Sequence, residues 1–169
     1  RSRAKKYARL HYILMCTLLI LIAGLRYRVG GDTLSYFDDY SSFPTFSEFP
    51  HTDFSELKYE PLFYVIVAFS KLLHPDFAIF QFVQASIVNI IFFYFIATRT
   101  LYKFSSICLY FILMYFYFNM EIMRESMSVC TFLLSIKYIE KKNYLVYYLF
   151  AIIAYLIHTS AIFLFPFPL

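Results

Sequence analysis

One polar stretch holds much of what this chain can use for chemistry: Arg26-Tyr27-Arg28-Val29-Gly30-Gly31-Asp32-Thr33-Leu34-Ser35-Tyr36. Arginines can receive a phosphate, a carboxylate can accept a proton, and a Gly-Gly pair can take positive φ and turn its amide N–H groups toward an anion. The same residues also spell a tight turn with Asp32 capping the next helix, and the local sequence leaves both readings open. Three further candidates lie downstream. Glu60 precedes Pro61, Arg124 opens a helix whose Ser128, Thr131 and Ser135 share its face, and His158-Thr159-Ser160 interrupts an apolar run. Each has a plainer alternative. Glu60 can serve a helix start electrostatically, Arg124 can snorkel or pair with Glu121 and Glu125, and His158 can sit at an interface. Gln81 and Gln84 share a face of one span and suit cross-helix hydrogen bonds.

The elements that carry these residues follow from composition. Of 169 residues, 61% are hydrophobic and only 15% charged, and the mean hydropathy of +0.62 exceeds what a soluble domain needs for its core. This is the composition of an integral membrane protein. A net charge of +4 without a basic stripe gives nucleic-acid binding no support. Cys16, Cys108 and Cys130 lie in apolar segments at irregular spacing, as buried free thiols do. No metal-ligand spacing, Walker loop, nucleophile elbow or dinucleotide-binding glycine motif is present, so no cofactor and no metal is expected. The chain opens on Arg1 and stops inside an apolar run, which reads as a fragment with both ends missing.

Taken in order, a basic run over residues 1–9 leads into an apolar stretch from Leu10 to Leu25, about 24 Å long as a helix. Eight of the eleven carboxylates then fall between Asp32 and Asp76. Residues 26–76 are thus expected as a long external loop, with the basic segment 1–9 cytoplasmic. Within the loop, 61–73 offers about a dozen apolar residues, a length that suits an interfacial or re-entrant helix better than a span. Spans are expected over Phe77 to Thr98, Ile107 to Phe118, Ser126 to Ile139 and Tyr144 to Phe165, the last with His158 about 21 Å along its helix. The fold class is therefore all-α, a polytopic transmembrane helix bundle forming one multispanning domain over 1–169. If 61–73 does not cross, Asp32, Glu60, Arg124 and His158 reach one external face, and Arg99 to Lys103 and Lys141-Lys142 stay cytoplasmic.

The ordered motifs Gly24-Leu25-Arg26-Tyr27, Val29-Gly30-Gly31-Asp32-Thr33 with Tyr36, Tyr59-Glu60-Pro61-Leu62-Phe63, Met123-Arg124-Glu125-Ser126 and Ala154-Tyr155-Leu156-Ile157-His158-Thr159-Ser160-Ala161 resemble the EpsG family of bacterial polysaccharide-biosynthesis membrane proteins. The resemblance runs from Leu10 to the end. It implies a multi-pass protein of the cytoplasmic membrane and a polymerase of the Wzy type, extending exopolysaccharide or capsule chains from a polyprenyl-diphosphate-linked oligosaccharide. Such a glycosyl transfer needs cations for the departing diphosphate and a base for the attacking hydroxyl. Arg124, with Arg26 or Arg28, is the expected diphosphate site, and Gly30, Gly31, Thr33 and Tyr36 the expected substrate contacts. Asp32 is the first candidate base, with His158 and Glu60 as alternatives. Partners would be the bilayer and other polysaccharide-assembly membrane proteins. A transporter or flippase of the lipid-linked glycan and a non-catalytic scaffold are the competing functions.

Overall fold

No glycine or proline interrupts the chain between Ser2 and Ala23, and the computed structural model carries a single helix through it, α1 (Ser2–Gly24). The structure describes residues 2–53 and 58–167, with side chains from residue 5 onward. Residues 54–57 of the expected external loop, Arg1 and the terminal Pro168-Leu169 lie outside the described residues. The basic run is the first turns of α1 rather than a separate arm, because nothing in its sequence breaks the helix. Leu10, Ile13, Leu14 and Leu18 face outward along it, leaving an apolar exterior of the kind a bilayer covers.

After α1 come the short α2 (Gly31–Asp39), then α3 (Pro61–Leu73) and α4 (Phe77–Arg99). Asp76 caps α4 by accepting from the Ala78 amide at 2.8 Å, which fixes a sharp turn between the two. The first eight residues of the next element form α5 (Lys103–Tyr110), which continues as π-helical turns at Phe111–Tyr115 and Tyr117–Glu121. Side chains take up carbonyls of that wider stretch: Asn119 Nδ2 donates to Tyr115 O at 2.8 Å and Gln84 Nε2 to Phe118 O at 3.3 Å. Helices α6 (Met123–Glu140) and α7 (Tyr144–Ile157) form an antiparallel pair. All regular structure among the described residues is helical.

α4 is the centre, packed on α1, α3, α5 and α6. A Cβ on Gly24 would meet the Phe82 side chain at 2.8 Å, so a glycine lets the end of α1 close on α4. The buried glutamines tie this layer together as expected: Gln81 Nε2 donates to Arg26 O at 3.0 Å, and Gln84 Nε2 lies 3.3 Å from Ser126 Oγ. Among the described residues two helices are long and apolar enough to cross a membrane on their own, Lys5–Gly24 and Phe77–Arg99. Pro61–Leu73, Lys103–Tyr115 and Tyr144–Ile157 are apolar but shorter.

Two elements differ from the simple serpentine. Both ends of α3 reach one aromatic layer: the Tyr59 ring lies 5.5 Å from that of Tyr36, and Lys71 Nζ donates to Phe43 O at 2.6 Å while sitting over Tyr40. The helix therefore lies across the end of the bundle. The second difference corrects the expected continuous helix from Tyr144 to Phe165. α7 stops at Ile157, His158 is extended, and a 3-10 turn at Thr159–Leu164 brings the chain back along α7. Tyr147 Oη donates to Leu164 O at 2.6 Å and so holds the returning segment. The cause is local, since the His158 ring accepts the Ser160 amide at 3.2 Å and replaces the next helical hydrogen bond.

Candidate functional site

The polar end of the bundle is built by three helix starts and one helix end. Asp32 and Tyr36, four residues apart on α2, present one face. Asp32 Oδ2 accepts from the Met123 amide at the start of α6 at 3.2 Å, and Tyr36 Oη lies 3.5 Å from the same oxygen. Tyr36 Oη in turn accepts from Arg124 Nε at 2.7 Å. Arg124 Nη1 is ion-paired with Glu60 Oε2, immediately before α3. The other Glu60 oxygen accepts from the Thr159 amide at 2.9 Å, after α7. A single chain of contacts thus joins four segments far apart in sequence.

The guanidinium of Arg124 is also walled by rings. It lies 4.4 Å from the Tyr59 ring centroid, 5.6 Å from that of Phe63 and 5.9 Å from that of Tyr36. Flat aromatic faces stabilise a cation that is only 17% exposed, with Glu60 at 14%. Tyr59 Oη donates to Asp39 Oδ2 at 2.8 Å, which fixes the ring under the arginine. Arg124 Nη2 has no acceptor among the described residues, so part of the fork stays available.

The two carboxylates are pushed in opposite directions. Burial raises the Asp32 carboxyl above its usual 3.8, against the lowering effect of the Met123 amide, Arg124 and Tyr36, while Glu121 adds to the rise. Burial acts the same way on Glu60, but the Thr159 amide, Glu60's own amide, Arg124 and His158 together outweigh it and hold Glu60 below its usual 4.5. The two carboxylates thus differ in how readily each gives up its proton, Asp32 less readily than usual and Glu60 more so. Asp32 is only half-buried, and its Oδ1 carries no hydrogen bond among the described residues.

His158 belongs to the margin of this cluster. Its Nδ1 accepts from Ser160 N and lies 2.8 Å from Ser160 Oγ, which leaves the neutral ring's proton on Nε2. Arg26 and Arg28 do not join. Arg26 is buried, with Nη1 on Ala23 O and Nη2 3.0 Å from Thr33 Oγ1 and 3.3 Å from Met123 Sδ. It closes the end of α1, and burial lowers its guanidinium to about 10. Arg28 is exposed at φ 51°, stacked 5.0 Å over Phe37. Phe37 is about 140° round α2 from Asp32 at 100° per residue, so Arg28 serves another face.

The glycines turn inward. Gly30 has φ 100°, and a Cβ there would collide with the Met120 carbonyl. Gly31 N donates to Glu121 Oε2 at 3.1 Å, and Thr33 Oγ1 to Met120 O at 3.3 Å. An internal carboxylate thus sits where an anion was expected. Glu121, which the sequence offers as one possible partner for Arg124, holds Gly31 instead, and Tyr59 and Phe63, which no motif chemistry singles out, wall the arginine. Their spacing of four, flanking Glu60-Pro61, was the available signal. The serine face of α6 is structural, with Ser128 Oγ donating to Ala154 O on α7 at 3.1 Å. No group of three or more His, Cys, Asp or Glu residues poised for a metal occurs among the described residues.

The EpsG family model matches residues 9–169, nearly the whole chain. The chain belongs to the EpsG family. That family is associated with exopolysaccharide biosynthesis and with membranes. No curated protein and no solved structure matches this EpsG-family chain. Four of the five motifs that carry the resemblance in sequence meet around Arg124, while Gly24-Leu25-Arg26-Tyr27 closes the end of α1 instead.

Proposed function

We propose that this EpsG-family chain is a multi-pass polysaccharide polymerase of the cytoplasmic membrane. It transfers glycan repeat units from a polyprenyl diphosphate to a growing exopolysaccharide or capsule chain at the outer face. In this reading a sugar hydroxyl attacks the anomeric carbon of the donor, the bond from that carbon to the diphosphate oxygen breaks, and the proton passes to Asp32. Arg124 receives the charge gathering on the diphosphate through the donors that Glu60 leaves free. Tyr36 couples the two by touching both. The observation that carries the proposal is Asp32, with its raised carboxyl and open oxygen, one tyrosine away from a ring-walled arginine.

The topology belongs to the same proposal. α1, α5 with its π turns, and α7 run toward the Asp32 end, α4 and α6 run back, and α3 lies along the outer surface. Five passes then leave Lys5, Arg9, Arg99, Lys103 and Lys141 on the cytoplasmic side, in keeping with the distribution of positive charge. Ser47→Cys will react with a membrane-impermeant thiol reagent in spheroplasts and Lys141→Cys will not; equal labelling would refute the orientation.

The decisive experiment is complementation of a polymerase-deficient strain with full-length protein carrying Asp32→Asn. Polymer will fall by about 10²–10⁴, the contribution of a general base, and lipid-linked single repeat units will accumulate at the outer face. Normal polymer would refute the base assignment. Accumulation on the cytoplasmic side would instead identify a transporter of the lipid-linked glycan.

A further inference from the structure

At the opposite end from Asp32, α1 and α5 both lean on α4 but diverge from each other, and a cavity of about 520 Å³ opens between them. Lys5 and Arg9 line it from α1 and Lys103 from α5, while Ala8, Tyr12, Ile13, Ala97 and Phe104 supply an apolar floor. No carboxylate lines it, and none pairs with any of the three cations among the described residues. Arg99, at the end of α4, is by contrast tied to Glu140. Tyr102, at the cap of α5, gives no side-chain acceptor to the first turn of that helix. Its free amides add partial positive charge at the same mouth.

The seam does not end there. One to two turns further along the same two helices, Met15, Leu18, Leu19, Ile107, Cys108 and Phe111 enclose a second hollow of about 210 Å³ that is almost wholly apolar. Tyr12 and Phe104, with ring centroids 6.3 Å apart, stand between the charged mouth and this apolar run. The arrangement is amphipathic in one direction: unpaired cations at the rim, then rings, then aliphatic wall.

We propose that this seam is a binding site for an anionic glycerophospholipid, whose phosphodiester is held by Lys5, Arg9 and Lys103 and one of whose acyl chains lies between α1 and α5. Basic pockets between helices at a membrane surface recognise anionic headgroups in this way. Three unpaired cations select against a zwitterionic headgroup, whose ammonium would face them. A free anion would leave the apolar run unfilled. The lipid fills the gap where α1 and α5 part, and so steadies α1 against α4.

These 169 residues contain no tryptophan, so Leu18→Trp, made with any tryptophan elsewhere in the full-length protein changed to phenylalanine, supplies a single reporter inside the seam. In nanodiscs holding full-length protein, phosphatidylglycerol with brominated chains will quench that fluorescence at least about twofold more than equally brominated phosphatidylcholine at the same mole fraction. Lys5→Gln/Arg9→Gln/Lys103→Gln will abolish the difference, and Lys103→Arg alone will preserve it. A reporter at Ile90, on the outward face of α4, will show no headgroup preference. Equal quenching by the two lipids in the charged protein, or a preference that survives the triple substitution, would overturn the site. Loss of the preference on adding inorganic phosphate at constant ionic strength, or displacement by an equimolar polyprenyl phosphate, would overturn the choice of ligand.

Discussion

Two arginine–glutamate pairs stand at opposite ends of this bundle, and they are built differently. Arg99 and Glu140 close the ends of α4 and α6, with side chains 30% and 55% exposed. Arg124 and Glu60 join the starts of α6 and α3 with 17% and 14% exposed, and the cation is walled by three rings and hydrogen-bonded to Tyr36. The first pair belongs to a solvated rim where other cations stay unpaired. The second is embedded, and each polar neighbour of its arginine is itself anchored: Tyr36 to Asp32, Tyr59 to Asp39, Glu60 to Thr159. An exposed pair costs little to keep or lose. A desolvated cation held by a network is expensive, and persists where geometry at that spot matters.

The sharpest way to break the comparison is to keep both charges and change their shape. Arg124→Lys will cut polymer formation by about 10²–10³, the loss expected when one transition-state donor goes, while Arg99→Lys will leave it unchanged. Lysine supplies charge without a planar fork, and cannot touch Tyr36, Glu60 and a diphosphate together. Lipid-linked repeat units, measured at matched protein abundance, will rise only in the first variant. Near-normal polymer from Arg124→Lys would return Arg124 to a structural role.

Removing the anions probes stability. Glu60→Gln strands a mostly buried guanidinium and will cost about 3 kcal/mol, at the low end for buried pairs, whereas Glu140→Gln will cost under about 1 kcal/mol. Thermal unfolding of the purified proteins measures both; equal losses would erase the distinction between the ends. The pH dependence has opposite signs at the two carboxylates. Glu60 titrates below its usual 4.5, so its contribution is present above that value and is lost as pH falls through the lower folded value. Asp32 titrates above 3.8, so the fold favours its protonated form, and that contribution is lost as pH rises through the folded value. Polymerisation will therefore switch on with a rising limb above pH 3.8, which Glu60→Gln leaves in place and Asp32→Asn removes.

The helical class and the gathering of Asp32, Glu60, Arg124 and His158 at one end were readable from hydropathy and loop charge, because both depend on sequence windows. What escaped depends on distant partners. Glu121 stands three residues before Arg124 and Glu125 directly after it, yet the arginine chooses Glu60, which the start of α3 delivers from a distant segment. Arg26 looked free at a helix exit, but the α1 terminus had an open carbonyl and α2 offered Thr33, so the guanidinium folded back. The reversal at His158 was hidden for a different reason. Residues 161–165 are as apolar as a helix interior, and the turn comes from the ring accepting the Ser160 amide together with the contacts that Glu60 and Tyr147 make to the returning segment. Hydropathy registers burial, not direction.

The finest test concerns the rings beneath the two arginines. Arg124 lies 4.4 Å from the Tyr59 centroid, whereas Arg99 lies 5.8 Å from that of Phe95 near the exposed rim. Cation–π attraction grows as water is excluded, from about 0.5–1 kcal/mol at exposed sites to about 2 kcal/mol when desolvated. Tyr59→Leu should therefore lower stability by more than Phe95→Leu, after allowing for the Asp39 hydrogen bond that Tyr59 also makes. Tyr59→Phe isolates that allowance, since it keeps the ring and deletes only the hydroxyl. The difference between Tyr59→Leu and Tyr59→Phe is then the worth of the ring face, expected at about 1–2 kcal/mol and read from thermal unfolding. If Arg124→Gln is introduced first, the difference should shrink, because no cation remains for the ring to hold. A ring contribution that is the same with and without the guanidinium would mean that Tyr59 is packing alone, and that the walls around Arg124 are there for the core rather than for the charge.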